Sequence, residues 1–240
     1  MVVVPGGEFK MGSALSPNEL PTREVWVDTF WLDRTEVTVG AYEACVDEGA
    51  CTEPSTEPYC NWAKGEPVAG RAGHPVNCVD WTQAEEYCAW AGEGTKRLPT
   101  EAEWEKAARG TDARIYPWGD IPEPSCSHVV MSGAGTGSGC GMGSTGAVGS
   151  TPLGASPYGA QDMAGNVWEW VADWYGDYDE DETNNPMGPR NGTLRIMRGG
   201  SWLSYWYTNN FRAANRYSDN PAYSYSDVGF RCARTPPGAL

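Results

Sequence analysis

The sequence predicts an α+β domain that is poor in regular secondary structure and stapled by disulfides. Three observations carry this expectation. Thirty glycines and 18 prolines in 240 residues punctuate the chain with turns. Only three segments carry helix signals, and the strand-like runs around them are short. Eight cysteines, an even number, allow four disulfides, with about 105 connectivities open before spacing is considered.

The opening MVVVPGGEFKMGS reads as a strand, a Pro-Gly-Gly turn and a second strand. Residues 25–32, VWVDTFWL, are dominated by β-branched and aromatic side chains and predict a strand. Thr38 is placed to cap a helix that runs to about Glu48 and stops at Gly49. A second helix is expected over 81–91, with Asp80 as its cap and Gly92 at its end; Ala84, Tyr87, Cys88 and Ala91 share one face. The third helix has the clearest signal. Thr100-Glu101-Ala102-Glu103 is a capping box, in which hydroxyl and carboxylate each satisfy a backbone N–H that the helix leaves unpaired. Pro99 precedes it, Trp104, Ala107 and Ala108 form its expected buried side, and Gly110 closes it.

Beyond Gly110 no helical period survives. Residues 132–160 are Gly/Ser-rich and long for an internal loop, so they are expected to be functional or pinned by disulfide and metal. The acidic run 177–182 reads as a solvated loop. With no repeat and no linker, a single domain over 1–240 is expected, ending in a recognition segment at 198–234.

Forty per cent apolar content and 12 tryptophans suit a packed globule. A net charge of −15 disfavours nucleic acid, whose phosphates would be repelled, and anionic membrane surfaces too. No stretch approaches transmembrane length, so neither nucleic-acid binding nor membrane insertion is expected. Cys45 and Cys51 flank a short Gly-Ala turn, Cys126 and Cys140 flank a Gly/Ser-rich loop, and Cys60 and Cys78 can close the segment between them. That leaves Cys88 for Cys232. No CxxC or His-bearing zinc spacing occurs. Disulfides imply an oxidising compartment, so an exported chain is expected, whether periplasmic, cell-surface or secreted. Residues 2–4 are the only apolar run at the start, and the expectation is a trimmed mature chain with Met1 added.

The stretch 198–231 is the most informative. A frame of Arg198-Gly199-Gly200-Ser201-Trp202, Arg212, Arg216, Pro221 and Gly229-Phe230-Arg231 encloses runs of Tyr, Ser, Asn, Asp and Trp. Five of the 12 tyrosines lie between residues 205 and 225, without a lysine among them. Tyr and Trp supply stiff amphipathic area, and Ser and Asn supply adaptable hydrogen bonds, which is how a recognition surface is composed. The plainer reading is an irregular segment whose tyrosines pack inward.

The segments PGGEFKMGS (5–13), LDRTEVTVGAY (32–42), HPVNCVDW (74–81), KRLPTEAEWEKAARG (96–110), YPWG (116–119), MAGNVWEW (163–170), RGGSW (198–202) and GFRCAR (229–234) together resemble the formylglycine-generating enzyme, or sulfatase-modifying factor, family from end to end. The resemblance implies an irregular fold related to C-type lectins, and it supports the Cys88–Cys232 pairing. It also implies a copper held between two thiolates in a G-G-S-aromatic-x-Cys-x₄-Cys pattern, soft sulfur selecting Cu(I). Here the first position is Ser204 and the second falls on Asn209, or on Thr208 if the segment is one residue shorter. A hydroxyl and an amide are hard, neutral ligands, so no copper is expected. The related iron enzymes need three histidines, and this chain has His74 and His128, so no iron is expected either.

A structural Ca²⁺ is implied at Asp162 and Glu169 by side chain and at Gly165 and Val167 by carbonyl, since calcium mixes carboxylates with backbone oxygens. A second family calcium falls around His128-Val129, where no side-chain ligand is evident. A segment from GGSW to GFR also resembles the variable region of family members diversified by retroelements. The leading expectation is therefore a non-catalytic protein that binds a protein or carbohydrate ligand, with no catalytic residue. Its contacts would be Trp202, Ser204, Tyr205, Trp206, Tyr207, Asn209, Asn210, Tyr217, Asp219, Tyr223, Tyr225 and Asp227, while Arg198, Arg212, Arg216 and Arg231 hold the frame. The alternative is a metal-dependent oxidase of the family acting on a protein or small thiol.

Overall fold

The computed structural model describes residues 1–133, 135–205 and 209–236. The chain opens with β1 (Val2–Val4) and β2 (Gly7–Met11), then β3 (Arg23–Val27), β4 (Phe30–Leu32) and helix α1 (Val39–Asp47). A small hairpin, β5 (Trp62–Ala63) with β6 (Glu66–Pro67), leads to α2 (Trp81–Ala91), β7 (Lys96–Arg97) and α3 (Glu101–Arg109). After a long irregular stretch come β8 (Trp168–Trp174), β9 (Arg195–Arg198), β10 (Tyr217–Asp219), β11 (Val228–Phe230) and β12 (Ala233–Arg234).

Two four-stranded sheets organise these pieces, in the orders β1-β4-β12-β7 and β10-β9-β8-β11. The C-terminal strand β12 is inserted between β4 and β7, and β11 runs parallel to β8 with Val228 opposite Trp168. The two ends of the chain therefore meet in one sheet. Residues 25–32 form two strands where the sequence suggested one. The chain turns at Asp28-Thr29, where the Asp28 N–H donates to Asn185 and the Thr29 hydroxyl accepts from Gly6 N. As a result β3 pairs with β2 and β4 pairs with β1, in different sheets.

The three helices stand where their caps place them. Thr38 accepts from Ala41 N, and both Asp80/Gln83 and Thr100/Glu103 close reciprocal capping boxes. On α2, Ala84, Tyr87 and Cys88 are buried and Ala91 packs at the edge. Tyr42 of α1 stacks on Tyr87 at 5.4 Å, with Phe230 set edge-on to both. All four disulfides form as the spacing suggested: Cys45–Cys51, Cys60–Cys78, Cys88–Cys232 and Cys126–Cys140.

Helix α3 departs from its expected one-sided burial. All nine residues are buried, including Glu101, Glu103, Glu105, Lys106 and Arg109. Buried charges survive only when paired and hydrogen-bonded, and arginines from the C-terminal third supply the partners. Arg198 donates to Glu101 at 2.9 Å and to Glu105 at 2.8 Å, and also to the carbonyls of Ala213 and Ala214. Arg216 grips both oxygens of Glu101, and Arg109 reaches Glu105. Arg212 makes a bidentate pair with Glu19, and Arg231 makes one with Glu169. The expected framing arginines thus bind the C-terminal segment 198–234 to the core.

The Gly/Ser-rich stretch 132–160 is pinned at several points. Cys140 ties it to Cys126, Gly146 N donates to Asn166 Oδ1, Val148 N to Gly73 O, and Gly149 N to Asp162 Oδ2. The acidic run is largely exposed, but Tyr178 within it is buried against Arg23 and Arg216, each guanidinium 4.0 Å from its ring centre.

Candidate functional site

The second sheet carries a cavity of about 460 Å³ on one face. Trp168 of β8, Met197 of β9 and Val228 of β11 contribute to its lining from the sheet. Tyr217 and Asp219 come from β10, and Ser201, Leu203, Ser204 and Tyr205 come from the turn after β9. Asn210, Tyr225 and Asp227 complete the lining.

Local backbone geometry makes this convergence. Gly200 has φ +78°, and a Cβ there would stand 3.1 Å from both the Asn210 carbonyl and the Phe211 ring. Only glycine lets the 200–204 turn close against 209–211. Within that turn, Ser204 Oγ accepts from Ser201 N and from Asn210 Nδ2, both at 3.1 Å. Ser201 Oγ in turn donates to Asp227 Oδ2 at 2.8 Å. The Tyr217 ring stacks on Trp168 at 5.4 Å between centroids, and Tyr223 meets Tyr225 edge-on at 5.8 Å.

Burial raises the Asp227 carboxyl above the usual carboxylate range, against the lowering effect of the Ser201 hydroxyl. Burial also raises the Tyr225 hydroxyl, and the charge and hydrogen bond of Asp219 add to it.

Of the residues expected to contact a ligand, Ser204, Tyr205, Asn210, Tyr217, Asp219, Tyr225 and Asp227 line this one cavity. Tyr223 stands beside it on Tyr225. Trp202 takes a different position. It is 2 % exposed, donates from Nε1 to Ser226 O and packs against the Tyr59 ring, so it anchors the segment from within. Asn209 opens the single turn 209–211 and does not line the cavity. Trp206 and Tyr207 lie outside the described residues, as does Thr208. Sequence reasoning missed Trp168, Met197, Ser201, Leu203 and Val228. Trp168 is only 7 % exposed, a strand residue that is buried for the most part and still reaches the cavity.

Ser204 stands where the family's first copper thiolate is expected, and its hydroxyl is committed to Ser201 and Asn210. All eight cysteines of the chain are in disulfides. The histidines have structural surroundings. His74 Nδ1 lies 3.0 Å from the Thr145 hydroxyl, with its pKa lowered by burial, and the His128 ring packs on Trp118.

The residues implied for calcium lie in an acidic interior. Glu169 receives Arg231 on both oxygens and Trp104 Nε1 on Oε2. Asp162 Oδ2 accepts from Gly149 N, and burial pushes its carboxyl up to about 6. A third carboxylate, Glu36, is buried beside them and accepts from Asn166 Nδ2 and Val167 N. Its pKa is raised well above normal by burial, then by Asp162 and Glu169. Sequence reasoning did not single out Glu36. Three carboxylates share one guanidinium here. Among the described residues, however, no three His, Cys, Asp or Glu side chains are grouped closely enough to hold a metal ion by themselves. The donor set therefore needs backbone carbonyls, and on Glu169 only the lone pairs left by Arg231 and Trp104 remain.

A family profile described as "Sulfatase-modifying factor enzyme 1-like domain" matches residues 1–236. The chain belongs to the formylglycine-generating enzyme family. It is 35 % identical to the formylglycine-generating enzyme of Mus musculus, over 97 % of this chain and 74 % of that protein. Its similarity to a Bos taurus protein named "Inactive C-alpha-formylglycine-generating enzyme 2" is 31 % identity, over 100 % of this chain and 90 % of that one. Among solved structures, PvdO from Pseudomonas aeruginosa superposes with a TM-score of 0.81 at 29 % identity, covering 98 % of this chain and 93 % of that one. Treponema denticola variable protein 1 shares the fold, with a TM-score of 0.78 at 22 % identity, covering 98 % and 95 %. The irregular fold with its few helices is thus that of the family.

Proposed function

We propose that this chain is a ligand-binding member of the family in which the site used by the oxidases has become a recognition pocket. The supporting observation is the state of Ser204. A hard hydroxyl, already engaged with Ser201 and Asn210, stands at the thiolate position, and every cysteine is consumed in a disulfide. Cu(I) prefers paired soft sulfur, which this donor set does not offer. Around Ser204 the cavity presents aromatic rings, the Asn210 amide and two carboxylates, the residue types of which binding surfaces are composed. The reading treats 1–240 as one domain and the ligand as a protein or carbohydrate.

Four disulfides support an exported, oxidising setting. Among the described residues no helix is long and apolar enough to cross a membrane. A structural calcium at Asp162 and Glu169, with the Gly165 and Val167 carbonyls, belongs to the same reading. A divalent cation would offset carboxylate charge that Arg231 alone leaves unbalanced. Diversification of 203–228 by a retroelement is the finer version. It predicts a reverse transcriptase in the neighbouring DNA beside a near-copy of this coding stretch that differs at adenines.

The oxidase reading retains the support of the family's named enzymes. Oxygen uptake decides between them. The binding reading expects no copper- or iron-dependent consumption with a Cys-containing peptide; uptake above that of the free metal would replace it with the oxidase.

A further inference from the structure

We propose that the pocket on the second sheet takes a positively charged organic group, an ammonium or guanidinium, between its aromatic rings and the carboxylates of Asp219 and Asp227. The inference rests on the ligand-binding reading and names the chemistry that reading leaves open.

The charge balance of the lining carries it. Asp219 and Asp227 are present, yet no lysine, arginine or histidine lines the cavity among the described residues. Other carboxylates of the fold are neutralised in place. Glu19, Glu101, Glu103, Glu105, Glu169, Asp33 and Asp112 all hold a basic partner at 2.6–2.9 Å. Neither pocket aspartate is in an ion pair among the described residues. Ser201 fixes the Asp227 carboxylate in place, so its position does not depend on the ligand.

The walls agree with that charge. Tyr205, Tyr217 and Tyr225 line the cavity with 40–52 % of their surface exposed, and a ring face attracts a cation through its quadrupole. The chain shows the same preference internally, where Arg195 lies 3.7 Å from the Trp81 ring centre and 3.5 Å from that of Trp174. A net charge of −15 draws cations toward the surface and repels anionic ligands. A neutral sugar would use the rings but would leave the two carboxylates without a counter-charge.

The test titrates the purified protein with Nα-acetyl-arginine methylamide and with its neutral isostere, Nα-acetyl-citrulline methylamide, while NMR follows the indole and ring resonances of Trp168 and Tyr217. The arginine probe should bind at least about tenfold more tightly. Asp219→Asn and Asp227→Asn should each remove most of that preference, with a cooperative melt close to that of the unmodified protein as the check on folding. Added salt should weaken the arginine probe alone. n-Propylguanidinium, a monocation like the arginine probe but without a peptide backbone, separates the sources: equal binding points to a small free cation, and weaker binding to a basic side chain of a partner protein.

Equal affinity for arginine and citrulline probes, or full preference retained in both variants, overturns the proposal and leaves a binding pocket of other chemistry. Metal-dependent oxygen uptake would instead overturn the ligand-binding reading, while the cation preference would still be measured independently.

Discussion

The molecule handles half-hidden charge in two contrasting ways. Around α3, the guanidiniums of Arg109, Arg198 and Arg216 meet the carboxylates of Glu101 and Glu105 with every partner buried. In the pocket beside Ser204, Asp219 and Asp227 face aromatic rings with no counter-charge among the described lining residues. The first region is finished in the free protein, and the second is not. Removing one member of a finished network strands a buried charge, whereas changing a pocket residue alters what the surface attracts. On the proposed reading, stability and recognition are carried by different residues of the same C-terminal segment.

The largest effect expected from that difference is at Arg198. Arg198→Ala leaves Glu101 and Glu105 short of a partner and should lower stability by about 3–5 kcal/mol, read from denaturant unfolding. A loss below about 1 kcal/mol would mean that the network is not what holds the segment down. Next comes the Cys88–Cys232 bridge, which closes 144 residues and ties β12 to α2. Replacing both cysteines by alanine should cost roughly 2–5 kcal/mol. The same change at Cys45–Cys51, which closes six, should cost less.

Chelation of divalent ions should lower the melting temperature if the charge left over at Asp162, Glu169 and Glu36 is balanced by calcium. An unchanged melt would remove that ion. The smallest stability change is expected in the pocket, where Asp227→Asn should shift unfolding by about 1 kcal/mol or less while cation binding falls. The pH dependence sharpens this. Asp227 titrates above the ordinary aspartate value because it is partly buried, and only its ionised form attracts a cation. Affinity should therefore be full at neutral pH and be lost, as pH falls, at a pH higher than an exposed aspartate would give. A flat profile across that range would assign the charge elsewhere.

Much of this fold was legible because its signals are local. Thr38, Asp80 and Thr100 each bond within their own first turn, so the helix starts could be read residue by residue. Three disulfides close short segments whose spacing alone suggests the pairing. What was not legible depends on distant partners. Nothing near Glu101 or Glu105 announces that Arg198, over 90 positions away, will bury them. The break of 25–32 into two strands depends on Gly6 and Asn185. In the candidate site, the Tyr/Asn/Asp segment declared itself through composition. Its floor of Trp168, Met197 and Val228 did not, because strand residues that edge a cavity read the same as strand residues that fill a core.

The central claim is that a serine-centred pocket has replaced a soft-metal site. A Cu(I) competition titration tests it most directly, with a chromophoric Cu(I) chelator and the disulfides intact. The account predicts that the chelator keeps the copper and that Ser204→Ala changes nothing. Stoichiometric transfer of Cu(I) to the protein, reduced by Ser204→Ala or by mutation of Asn209, would contradict it.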